Sequence, residues 1–81
     1  LGDVYKRQEE NIYIPEEVLF GFIEELPEKY RQVFSLYVID EMQHKEIAAL
    51  VGISEGTSKS NLARAREILK RKIKDYLKYE Q

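Results

Sequence analysis

Chemistry at a protein surface needs acids, bases, nucleophiles or metal ligands that converge, and this 81-residue sequence offers few of them. It holds one histidine, His44, no cysteine, and nothing like the His-Glu-x-x-His spacing that grips a metal. The carboxylate pairs Glu9-Glu10, Glu16-Glu17 and Glu24-Glu25 are adjacent in sequence. Adjacent side chains diverge on a helix, so these acids read as solvated rather than as a general acid and base. No catalytic residue, metal or other cofactor is expected, and the chain does not read as an enzyme. Six Tyr and three Phe would suit stacking on single-stranded bases, but most recur at helical spacing beside Leu and Ile, which assigns them to a core.

What remains is charge, and it is sorted along the chain. Residues 1–53 carry five Lys and Arg against eleven acids, whereas residues 54–81 carry eight against four, so a formal net charge of −2 hides a basic second half. That asymmetry points to an anionic partner; the plainer alternative is a basic helix that merely faces water.

The element that must position these cations is HKEIAALVGISEGTSKSNLARAREILKRKI, His44 to Ile73. Ile47, Ala48, Leu50 and Val51 give a first helix its apolar face, and Gly52 follows where a residue with positive φ ends a helix cheaply. Ile53 is placed to return to the core, and Ser54 to accept a hydrogen bond from the free amides of a second helix. Along that second, longer helix Ser58, Leu62, Ala65, Leu69, Ile73 and Tyr76 recur every three or four residues. The pattern is a helix-turn-helix.

With about 100° per residue and the buried stripe centred on Ser58, Leu62, Ala65 and Leu69, the outward arc holds Gly56, Thr57, Lys59, Ser60, Ala63 and Arg64. The first turns of such a helix enter the major groove, so Thr57, Lys59, Ser60 and Arg64 are the candidates for base edges and nearby phosphates. Ser54 stands at the amino end, where free amides suit a phosphate, although Glu55 beside it repels one. Gly56 and Ala63 keep the surface low. Arg66, Lys70, Arg71 and Lys74 lie farther along and read as solubilising charge. His44 reads as a solvated side chain at the start of the first helix, with a phosphate contact as the alternative.

EIAALVGIS followed by EGTSKSNLARAREIL resembles the C-terminal DNA-binding domain, region 4, of bacterial sigma factors of the extracytoplasmic-function type, in the sigma-70 family. The upstream LPEKYRQVFSLYVID belongs to the same resemblance, which runs from Leu26 to Ile73. Two positions depart from the family's usual pattern: Ser58 stands where Val is usual, and Asn61 where Arg is usual. The resemblance implies binding of double-stranded promoter DNA at the minus-35 element, with Asn61 joining Ser54, Thr57, Lys59, Ser60 and Arg64 at the interface. It also implies an apolar groove in the earlier helices that holds the flap of core RNA polymerase, and an anti-sigma factor that masks the domain. The family's promoter-melting domain has no match in this chain, so full sigma activity is expected to need a further N-terminal part. Two rivals are the helix-turn-helix output domain of another regulator, which Leu-Pro-Glu-Lys-Tyr-Arg argues against, and a helical module that docks on a regulator.

The rest of the chain supports the motif. Pro15 is expected at the first position of a helix with the stripe Val18, Leu19, Phe22, Ile23 and Leu26; Pro27 should end it and start another carrying Tyr30, Val33, Phe34 and Tyr37. Asp40 to Gln43 make the connection to the motif. The expected fold is all-α: a four-helix domain over residues 15–79 that contains a helix-turn-helix with a long C-terminal recognition helix. Residues 1–14 read as a linker or non-native segment, because LGDVYKRQ resembles the in-frame translation of a common sequencing adapter, and the chain then reads as a fragment. No apolar run is long enough for a membrane span, and the expected location is the cytoplasm, with no membrane or small-molecule partner.

Overall fold

A computed structural model describes residues 14–79, so the expectations for residues 1–13 lie outside the described residues. Four helices follow one another: α1 Glu16–Glu24, α2 Glu28–Phe34, which runs on into a π-helical turn Ser35–Ile39, α3 His44–Val51, and α4 Glu55–Tyr79. Among the described residues there is no strand. The all-α, four-helix architecture with a long last helix is the expected one.

Both prolines act one position earlier than predicted for Pro15. Pro15 and Pro27 each precede a helix as its N-cap, with φ near −55° and extended ψ (−57°, 143° and −53°, 146°). Their carbonyls accept the first helical bonds, from Val18 and Leu19 in one case and from Tyr30 and Arg31 in the other. A cap residue keeps its own N–H outside the helix, so proline's missing donor costs nothing there either.

The π turn is the feature the sequence did not announce. Tyr37 to Ile39, an aromatic residue and two β-branched ones that together imitate a strand, winds wider than an α-helix, and the Asp40 N–H closes the turn on the Ser35 carbonyl at 3.1 Å. Glu41 then takes φ +58°, which lets the Met42 N–H reach back to the Leu36 carbonyl at 3.0 Å. The extra residue keeps Tyr37 on the inner side, while Val38 and Ile39 are left exposed.

Helix α4 is the spine, packed against α1, α2 and α3 in turn. Ile23, Leu26, Ala65 and Leu69 form one core layer; Val33, Ile47 and Leu62 form the other, and Phe34 packs against both. At the far end of α4 an edge-on Phe22–Tyr76 pair, 6.1 Å between centroids, and a 2.7 Å Lys72–Glu25 ion pair fasten it to α1. The ion pair is largely exposed and contributes at most about 1 kcal/mol, so the apolar layers carry the packing. The first turns of α1 find little to cover them, and Leu19 of the predicted stripe is exposed.

Leu50 is a second departure: it is 65% exposed although it was expected on the apolar face of α3. The reason lies in which residues define that face. His44, Ile47 and Val51 point toward the rest of the domain, and Leu50 stands roughly 90° around the helix from their mean direction. His44 belongs to the packed side, which rotates the face away from Leu50.

Candidate nucleic-acid interface

The turn between α3 and α4 forms as its residue types require. Gly52 has φ +83°, and its N–H and that of Ile53 both reach the Ala48 carbonyl, at 2.9 and 3.1 Å. Ile53 then packs beside Val33, Ile47 and Leu62. Ahead of α3, the Gln43 N–H donates to Glu46 Oε1 at 2.9 Å, so a glutamate on the third residue of the helix closes its open end. Ser54 caps α4: its Oγ accepts from the Thr57 N–H at 3.0 Å and its hydroxyl donates to Thr57 Oγ1 at 2.9 Å. Ser60 in turn donates to the Thr57 carbonyl at 3.1 Å.

Around α4 the inner and outer arcs fall where the wheel puts them. Ser58, Leu62, Ala65 and Leu69 are buried, and Gly56, Thr57, Lys59, Ser60, Ala63 and Arg64 are exposed together on the amino-terminal turns. Asn61 is half-buried at the edge of this surface. Among the described residues neither Lys59 nor Arg64 enters an ion pair, so both charges are free for an outside anion. A side chain at Gly56 would meet nothing nearer than Ser54 Oγ at 3.9 Å. The fold therefore has no need of glycine there.

His44 is half-buried and packed rather than freely solvated. Its ring stacks on Tyr37, 4.6 Å between centroids and 21° from parallel, and its Nδ1 lies 2.8 Å from Ser58 Oγ. Ser58 is fully buried, and a buried hydroxyl without a partner would cost about 1–3 kcal/mol; His44 supplies that partner. The polar residue in an otherwise apolar stripe was the signal that a donor or acceptor must face it, but its source, fourteen residues away, follows from no local pattern.

Against known proteins, the model for Sigma-70, region 4 matches residues 18–69. The chain belongs to this family. It is 46% identical over 54 residues to the ECF RNA polymerase sigma factor SigM of Bacillus subtilis (strain 168), a match covering 67% of this chain and 33% of that protein. It is also 35% identical over 72 residues to the ECF RNA polymerase sigma-E factor of Escherichia coli (strain K12) and to that of Salmonella typhimurium (strain LT2), covering 85% of this chain and 38% of each relative. The chain thus spans about a third of the length of the curated relatives it matches. The resemblance to region 4 and the extracytoplasmic-function type are both borne out, with the match lying at residues 18–69 where the sequence resemblance runs from Leu26 to Ile73, and the output domain of another regulator is set aside. Among the described residues no three His, Cys, Asp or Glu gather to hold a metal ion, and no helix is long and apolar enough to cross a membrane.

Proposed function

We propose that residues 15–79 form the promoter-reading domain of an alternative sigma factor, binding the minus-35 element through the amino-terminal turns of α4. The observation that carries this reading is the low, polar, cationic surface at that end of a helix-turn-helix: Gly56 and Ala63 give clearance, Lys59 and Arg64 are unpaired among the described residues, and the neighbouring hydroxyls are tied into one cap. Thr57 and Ser60 face the base edges, Lys59, Arg64 and Ser54 the phosphates, and Asn61 borders the contact. Ser54's hydroxyl already both donates and accepts within the cap, so its share is to present the free amides behind it.

The names of the relatives, RNA polymerase sigma factors, support core RNA polymerase as the second partner. Exposed Leu19 and Phe20 on α1, with Val38 and Ile39 on the π turn, supply apolar surface for it on the earlier elements. An anti-sigma factor competes for the domain, the location is the cytoplasm, and the domain catalyses no reaction itself.

Fluorescence anisotropy of a labelled promoter duplex at several salt concentrations tests this. Log K should fall against log salt by about 0.9 for each phosphate neutralised, and Lys59→Ala and Arg64→Ala should each flatten the slope by about one such contact. Lys29 and Lys78 lie over the rings of Tyr30 and Tyr79, each 5.2 Å from the centroid, and alanine at either should leave the slope unchanged. A flat salt response, or equal effects from Lys78 and Arg64, would remove α4 as the DNA-facing element.

A further inference from the structure

We propose that His44 is a positioning residue for promoter reading: through its hydrogen bond to Ser58 it sets the seat of the amino end of α4, and so the domain's sequence discrimination, without touching the duplex. The proposal rests on the DNA-binding reading above. Ser58 is the first buried side chain of α4; Glu55, Gly56 and Thr57 before it are all exposed. The next inward anchor, Leu62, lies a full turn farther on, and apolar contact is non-directional: it resists withdrawal of the helix more than rotation or sliding. A hydrogen bond of 2.8 Å fixes a direction as well as a distance.

The bond is itself held. The His44 ring lies on Tyr37 of the π turn, and His44 opens α3, so three elements meet at one hydroxyl. Thr57 and Lys59 flank Ser58 in sequence and Ser60 follows, so a displacement of the Ser58 backbone is passed undiminished to the side chains placed against the bases. An apolar side chain in place of Ser58 would leave the His44 ring nitrogen unmatched here; serine and histidine answer each other. Among the described residues His44 Nε2 has no hydrogen-bond partner. A phosphate contact by that nitrogen is the competing role, and salt dependence separates the two.

The test uses the whole 81-residue chain. A random-sequence duplex library is selected with the wild type; the recovered duplex and a shuffled duplex of equal composition then serve as probes. His44→Ala, Ser58→Ala and the double variant should each lower the ratio of the two affinities by about tenfold, the worth of one modest base contact, with the double no worse than either single. The salt slope should stay that of the wild type. His44→Asn, whose side-chain oxygen comes close to the place of Nδ1, should restore most of the ratio, and circular dichroism confirms that each variant is folded. Should His44→Ala not fold, Ser58→Ala and His44→Asn give the same decision. Unchanged discrimination in the single variants, multiplicative loss in the double, or a salt slope lower by about one contact overturns the positioning role while leaving the DNA reading standing. A wild-type chain that selects no duplex overturns both.

Discussion

Gly56→Ala should make the domain more stable and a poorer DNA binder. Gly56 lies in the first turn of α4, its φ is not in the left-handed region, and the nearest atom to an added Cβ is Ser54 Oγ at an ordinary contact distance of 3.9 Å. The new methyl group meets no clash, and the unfolded chain loses freedom. In a helix interior the exchange is worth about 1 kcal/mol; so near the helix start roughly half of that is expected. A domain of this size shifts its melting temperature by about 4–8 °C per kcal/mol, so a rise of about 2–4 °C should appear in a thermal scan followed by circular dichroism. The same methyl group projects from the surface assigned to DNA. Where a backbone approaches a duplex closely, forcing an extra carbon into a filled interface costs about 1–3 kcal/mol, or roughly 5- to 150-fold in affinity by anisotropy. Destabilisation would show that Gly56 serves the fold after all. A stabilised variant that binds duplex as tightly as the wild type would show that no ligand approaches there.

Leu62→Asp should unfold the domain, because it places a charge in the layer of Val33 and Ile47 at a cost comparable with the whole stability, whereas exposed Arg64→Ala should keep its helicity; equal melting of the two would mean that the faces of α4 are misassigned. Asn61→Arg should tighten binding to any duplex with little change in sequence preference, since an edge position gains a phosphate contact; a switch in preferred site, read by competition binding, would make Asn61 a base reader. Glu41→Asn should stabilise by about 0.5–1 kcal/mol in urea unfolding, because asparagine tolerates φ +58° better than glutamate does, and a loss of stability would mean that the Glu41 side chain contributes something the backbone does not reveal.

The parts of the fold legible in the sequence are those fixed by neighbours. Gly52, Ile53 and Ser54 form their turn from local chemistry alone, and 25 residues of unbroken period made the inner and outer faces of α4 readable before any contact was known. The π turn was not legible, because Tyr30, Val33, Phe34 and Tyr37 keep helical spacing up to the point where the winding changes, and no local residue type marks that point. The places of His44 and Leu50 were illegible for one shared reason. An eight-residue helix has too few apolar positions to fix its own rotation, and a histidine that pairs with a distant serine decided it. Of the candidate interface, the exposure and grouping of Thr57, Lys59, Ser60 and Arg64 could be read from period; the tie behind them, from Tyr37 through His44 to Ser58, could not.

Because one uninterrupted helix carries both the outward surface at its start and the residues of both core layers, that surface has no unfolding unit of its own. Amide exchange makes this visible. To open the backbone around Leu62 is to open the layer it shares with Val33 and Ile47, so those amides exchange only through global unfolding, while the turns beyond Tyr76 exchange by local fraying. A ligand held at the amino end adds RT ln(1 + [L]/Kd) to that global opening, about 2.7 kcal/mol at a hundredfold excess over Kd. The added protection extends to Leu69, roughly 16 Å along the helix from Ser58, so occupancy at one end is recorded by deuterium retained in the core of the other.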